Sequence, residues 1–239
     1  MNKLFTLLLC CISFTALTQP TKVYNDPKAK TRALSGTFTK INVSSGIELL
    51  LTQSDELALA TSVSDEKYEA LLKTDVENGV LKIWFDSKGM NWGKDRNRKM
   101  KVYLSCKNIE SIKGSSGAIV KLANEIAADQ MSISFGSGAK FTGKLQVKSL
   151  SADVDSGAEI YVTGTALSLS ASASSGAAFK GYGLTTQECE AKVSSGANVW
   201  VEVEKTLTAS ASSGGVIKYK GNAIVEKKSV NSGGSVKQE

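Results

Sequence analysis

Histidine is absent from all 239 residues. That excludes Ser-His-Asp and Cys-His nucleophilic systems and any histidine-based zinc site. Proline occurs only twice against 21 glycines that follow no three-residue period, so neither a collagen-like chain nor a generic low-complexity one fits. Cysteine is scarce too: Cys10 and Cys11 lie in the N-terminal apolar stretch, which leaves only Cys106 and Cys189, too few for an all-thiolate zinc site. Arginine does not recur beyond Arg98. No glycine loop follows a strand and opens a helix, so nucleotide chemistry is not expected. Neither a cofactor nor a metal is expected.

The one apolar run is N-terminal. Lys3 precedes residues 4–17, which close among Thr15, Ala16, Thr18 and Gln19. It is too short to span a bilayer and has the layout of a secretory signal peptide over residues 1–18, cut between about Ala16 and Gln19. Acylation of Cys10 or Cys11 is the rival reading, but Leu9 is bulky where lipoprotein processing wants a small residue. The mature chain is therefore expected to be soluble and exported, in the periplasm, on the outer-membrane surface or secreted. No membrane span and no nucleic-acid partner are expected. Residues 19–36 read as a linker.

What the sequence does have is glycine at a regular interval. Ser-Gly pairs end at Gly117, Gly138, Gly157, Gly176, Gly196, Gly214 and Gly233, spaced 18 to 21 residues apart. A near-constant period of this size marks a stacked solenoid. Seven, five and three residues before each glycine stand apolar or small residues such as Leu150, Ala152 and Val154; one and three after it stand pairs such as Ala158 and Ile160. Alternation with period two means strand. The fold class is all-β: a parallel β-helix of 19–20 residues per coil over residues 106–239. Even the stretch SASASSGAAFKGYG (170–183) makes sense there, because small side chains in one coil leave room for large ones in the next. The serine before each glycine shares the inward parity, which predicts a stacked hydroxyl ladder. Seven similar copies do not suit a nucleophile, which needs one special copy beside a base.

Residues 37–105 lack the repeat. They read as a β-rich N-terminal region that covers the first edge of the solenoid. It has a short helix over 65–72, an Asn78-Gly79 hairpin, core residues Val76, Val80, Ile83 and Phe85, and a last strand KMKVYLS.

Phe38, Ile41, Val43, Gly46 and Ile47 at the start, Asn78-Gly79 followed by Leu81 and Ile83, the repeated Ser-Gly-Ala units and the closing SGGVIKYKG (213–221) together resemble the putative auto-transporter adhesin, head GIN domain family of exported proteins, found mainly in Bacteroidetes. Glu48 and Asn222 depart from its pattern without threatening the fold. The resemblance implies an envelope or surface binding role rather than catalysis.

Three outward clusters remain. Asp153, Asp155 and Glu159 could serve a polysaccharide-active enzyme or hold calcium, but a solvated acidic face explains them as well, and a lyase also needs a basic partner. Four residues past the glycines, Lys121, Thr142, Tyr161, Lys180, Trp200 and Lys218 should stack as a column. Tyr161, Lys180, Trp200 and Lys218 would alternate aromatic and cation, suited to a glycan or another cell-surface component, or the lysines could simply cover the rings. Lys94, Arg96 and Arg98 sit in a basic run near Trp84 and Trp92, in a chain of net charge +6, and are candidates for anion binding. The leading function is a non-enzymatic, adhesin-like envelope or secreted protein. The alternatives are a β-helix enzyme centred on Asp153 and Asp155 and a self-assembling envelope scaffold. Cys106 and Cys189 lie about four coils apart, roughly 19 Å, too far for a disulfide.

Overall fold

The computed structural model describes residues 25–88 and 98–239. Its N-terminal part carries strands β1 (Lys30–Arg32), β2 (Lys40–Val43), β3 (Glu48–Gln53), β4 (Ala58–Val63), β5 (Leu72–Glu77), β6 (Val80–Phe85) and β7 (Met100–Cys106). The repeats carry β8 (Ser111–Gly114), β9 (Ile119–Leu122), β10 (Ile126–Phe135), β11 (Lys140–Val154), β12 (Glu159–Ala173), β13 (Ala178–Val193), β14 (Asn198–Ala211), β15 (Val216–Lys220), β16 (Ile224–Val230) and β17 (Ser235–Gln238). Neighbouring coils pair in parallel, with repeat positions in register. Phe141 is opposite Ile160, Ile160 opposite Phe179, Phe179 opposite Val199, and Val199 opposite Ile217. The chain is a parallel β-helix, as the period predicts.

The inward columns form one continuous core. Leu150, Leu169, Cys189 and Leu207 stack in one of them, none more than 5% exposed. Each buried leucine- or phenylalanine-sized side chain is worth about 1.5–3 kcal/mol relative to exposure. The inward parity shifts once per coil: in β11 it runs Phe141, Leu145, Val147 and then Leu150, Ala152, Val154. A third wall thus lies between the two walls expected from counting around the glycine. Differences in coil length are absorbed on either side of it, where the register slips between Gly181 and Thr185 and between Thr186 and Glu188.

The Ser-Gly corners overturn the inward hydroxyl ladder. Ser116, Ser137, Ser156, Ser175, Ser195, Ser213 and Ser232 are all exposed and hold φ near 50°, and the glycines that follow hold φ of 70–75°. Two successive left-handed residues make a type I′ turn, closed by bonds such as Ala118 N to Ser115 O at 3.0 Å. Period two does not hold through such a turn, so the parity count fails there. What stacks is the backbone: the N–H of Gly117 donates to the carbonyl of Ser137, and Gly138, Gly157, Gly176, Gly196 and Gly214 do likewise to the next serine, at 3.0–3.2 Å.

The N-terminal part caps the solenoid and also enters it. Ser45 and Gly46 form one more corner, with φ of 64° and 70°. β2 pairs in parallel with both β6 and β8, and β3 with both β7 and β9. The coil formed by β2 and β3 is therefore inserted between the β6–β7 coil and the β8–β9 coil. Gln53 fastens this insertion, its side-chain amide bonding the carbonyls of Lys107 and Ala127 and the N–H of Ala127, at 2.8–3.0 Å. The outer edge is covered by antiparallel strands, β4 on β7, β1 on β4 and β5 on β6.

Three local expectations change. The helix over 65–72 shrinks to a 3-10 turn, Glu66–Tyr68, capped by Asp65; Tyr68 is buried edge-on against Phe85, and Leu72 already begins β5. The Asn78-Gly79 hairpin forms, but the parity of β6 buries Leu81, Ile83 and Phe85, while Val80 and Val76 are only half-buried. Within the expected linker, β1 docks on β4, and Arg32 bonds the carbonyls of Leu72 and Glu69 and the Glu69 carboxylate.

Candidate binding face

Outward residues of the walls that follow the corners stack as strictly as the core. Thr142 is opposite Lys121 and Tyr161, Lys180 is opposite Tyr161 and Trp200, and Trp200 is opposite Lys218. The column predicted from the sequence therefore forms. It extends to Lys237 at one end and, through Leu50, to Tyr103 at the other. Its steps are the coil spacing, about 4.8 Å. Tyr161 is 48% exposed, Lys180 is exposed, and Trp200 and Lys218 are half-buried.

The lysines do not lie on the rings. Lys180 is bonded to Glu159, which also has the Lys140 ammonium at 3.9 Å; Lys218 meets Glu239 at 2.6 Å, and Lys121 meets Glu48 at 2.8 Å. Glu159 sits two residues before the column on the same face, one coil from Lys180, a closer acceptor than either ring. The Lys180 hydrogen bond holds the Glu159 carboxyl below the usual carboxylate range, and Lys218 with Tyr182 does the same for Glu239. Solvent screening keeps surface pairs of this kind weak. Among the described residues, the faces of Tyr161 and Trp200 carry no cation of their own.

Tyr182, on the same side of the coil, escapes a reading by repeat position. It lies in the segment between Gly181 and Thr185 where the β13–β14 register slips. Its hydroxyl donates to Glu239 at 2.7 Å, and the Lys220 ammonium stands 4.5 Å from its ring centroid. Burial first and then the Glu239 carboxylate raise the hydroxyl's pKa. The signal in the sequence is the coil ending at Gly196, 20 residues long against 19 for the coil before it and 18 for the one after.

The three acidic residues are spread over a wall and a corner. Asp153 points outward between Ser134 and Ser172, and Asp155 begins a corner beside Gly136. Neither has an ion-pair partner among the described residues, and Glu159 is engaged with lysines. No cluster of three metal-ligating side chains occurs among the described residues. Of the anion-binding candidates, Lys94 and Arg96 lie outside the described residues, as does Trp92. Arg98 places its guanidinium carbon 5.0 Å from the centroid of Phe85, over the edge of the core. An open depression of about 510 Å³ is lined by Asp155 together with Lys82, Trp84, Lys113 and Ser134, and Lys82 is bonded to Glu77. No helix of the described residues is long and apolar enough to cross a membrane. Cys106 and Cys189 are both buried free thiols.

Comparison with known proteins adds to this geometry. No curated protein matches the sequence. A putative adhesin from Bacteroides fragilis NCTC 9343 superposes with a TM-score of 0.76 at 19% identity, covering 90% of this chain and 98% of that one. A putative adhesin from Parabacteroides merdae ATCC 43184 gives 0.68 at 18% identity, covering 90% and 97%. A putative lipid binding protein from Parabacteroides distasonis ATCC 8503 gives 0.63 at 21% identity, covering 90% and 98%. At these identities the likeness is one of fold. Residues 37–223 match a family profile described as putative auto-transporter adhesin, head GIN domain. This match spans well over half of the sequence, and the chain therefore belongs to that family.

Proposed function

We propose that this chain is an exported, non-enzymatic, adhesin-like protein of the cell envelope or the secreted fraction, and that the Tyr161–Lys180–Trp200–Lys218 column is its contact surface for a glycan or another cell-surface component. The observation that carries the reading is the strict register of that column, which presents two aromatic side chains, neither covered by a cation, at fixed spacing on a rigid wall. A rigid strand platform holds such groups with little ordering cost on binding. Export is supported by the signal-peptide layout of residues 1–18, with its apolar run over 4–17, which lies outside the described residues. The acidic alternative is weaker, because neither Asp153 nor Asp155 forms an ion pair among the described residues, and of the two lysines that share a depression with Asp155, Lys82 is already bonded to Glu77.

Screening the purified protein on a glycan array tests the reading. Trp200→Ala is expected to lower binding by about fivefold or more, the size of one lost aromatic contact, with the thermal midpoint near wild type. Unchanged binding would remove the column from consideration. Oligosaccharide cleavage products that vanish in Asp153→Asn would establish the enzymatic reading instead.

A further inference from the structure

The column has a period as well as a composition. From Tyr161 to Lys218 it alternates ring, ammonium, ring, ammonium, so that like groups recur every two coils, about 10 Å apart. An extended chain of β-linked pyranoses advances by about one coil spacing per sugar and two per disaccharide. Laid along the solenoid axis, such a chain would place one sugar over each side chain in turn.

Charge indicates which kind of chain. The column and its outward neighbour two residues nearer the corner contain Lys101, Lys121, Lys140, Lys180, Lys218 and Lys237 against Glu48 and Glu159, with Glu239 beside Lys218. Beside the segment from Lys180 to Lys218, that neighbouring column narrows to Ala178, Asn198 and Val216. The side chains of the column therefore stand above their surroundings on the corner side. Lys180 is held by the half-buried Glu159 and Lys218 by the exposed Glu239. Such pairs are weak and exchange readily for a ligand carboxylate.

We infer that this face takes an anionic polysaccharide with an alternating disaccharide repeat, one sugar neutral and the next a uronate. The neutral rings stack on Tyr161 and Trp200, and the carboxylates meet Lys180 and Lys218. This rests on the proposed binding role of the column and assigns its ligand class.

Hyaluronan oligosaccharides, which alternate a uronate with an N-acetylhexosamine, are a direct probe. Titrated into the full chain at about 0.1 M salt, the hexasaccharide should bind at least tenfold more tightly than the disaccharide. Binding should weaken steeply toward about 1 M salt, where the screening length falls from about 10 Å to about 3 Å. Trp200→Ala and the double variant Lys180→Gln/Lys218→Gln should each lower affinity by about fivefold or more; the lysines are surface residues, so the second variant reads the site even if the first unfolds. Neutral chitin hexasaccharide binding as tightly as hyaluronan, with the same dependence on Trp200, would overturn the anionic assignment while leaving the column as a glycan surface. Heparin binding as well as hyaluronan, with no effect of either variant, would overturn the periodic match. Failure of every hyaluronan oligosaccharide to bind would overturn the inference outright, and the glycan array would still decide the broader role.

Discussion

Phe135 fills the space that a side chain at Gly114 would need. The two are register partners in neighbouring coils, and a β-carbon placed on Gly114 would stand 2.2 Å from Cε1 of the ring. The ring is 1% exposed and lies 5.4 Å from that of Phe141. Leu122 uses Gly143 in the same way, at 2.4 Å. Large and small side chains thus trade volume between coils, which is how a narrow core keeps its packing density.

Gly114→Ala should therefore destabilise the protein by about 1–3 kcal/mol through overpacking, and Phe135→Ala by about 3–5 kcal/mol through a cavity. Combining Gly114→Ala with Phe135→Leu should cost less than the sum of the single changes. Urea denaturation of the set measures this. Strict additivity would mean that the two sites do not share one space.

The corners make a different prediction. At Gly176 the backbone has φ of 70°, and nothing lies within 4 Å of a built β-carbon, so Gly176→Ala isolates the cost of left-handed backbone, about 1 kcal/mol. Ser175 already carries φ of 52°. Ser175→Asn should be neutral or stabilising by a few tenths of a kcal/mol, since asparagine tolerates that region better. A thermal midpoint that falls equally for Ser175→Asn and Gly176→Ala would argue against the type I′ geometry.

Cys106 and Cys189 should stay reduced and unreactive in the native protein. Both should be alkylated after denaturation without reductant. Burial pushes the Cys106 thiol from 9.0 up to about 12, and burial together with the Glu190 charge does the same for Cys189. The folded chain then keeps protons that the unfolded chain loses above about pH 9. Stability should be undiminished by these groups below that pH and should fall as pH rises toward 12. Cys189→Ala should flatten part of that alkaline slope in denaturation curves recorded across the range. An unchanged slope would show that the thiol does not contribute.

The parts of this molecule that were legible in the sequence are those governed by strict repetition. Leu150, Leu169, Cys189 and Leu207 repeat at one offset from glycine and stack accordingly, and Tyr161, Lys180, Trp200 and Lys218 follow from the same count. The count breaks where the chain leaves the strand. The corner serines turn outward because left-handed residues reset the alternation. The wall containing Leu145 and Val147 was missed because coil length varies next to it. The coil around Gly46 stayed hidden because its neighbour in the stack, around Gly117, is 71 residues away in the chain. Tyr182 was missed because a residue in a register slip has no repeat position to be compared with.

The inserted β2–β3 coil has a consequence for the order of assembly. Val154 reaches its partner Ala173 across 19 residues, whereas Val43 reaches Gly114 across 71. Closing the longer loop costs about 1 kcal/mol more in chain entropy, and this coil must close against two neighbours drawn from later sequence. As the chain emerges from its N-terminus, residues 40–53 wait for partners that do not yet exist, while each later coil finds a template already laid down by the one before it. The last segment of the solenoid to lock is thus among the first to be made, and pulse-labelled hydrogen exchange during refolding would show its amides protected after those of β11 to β14.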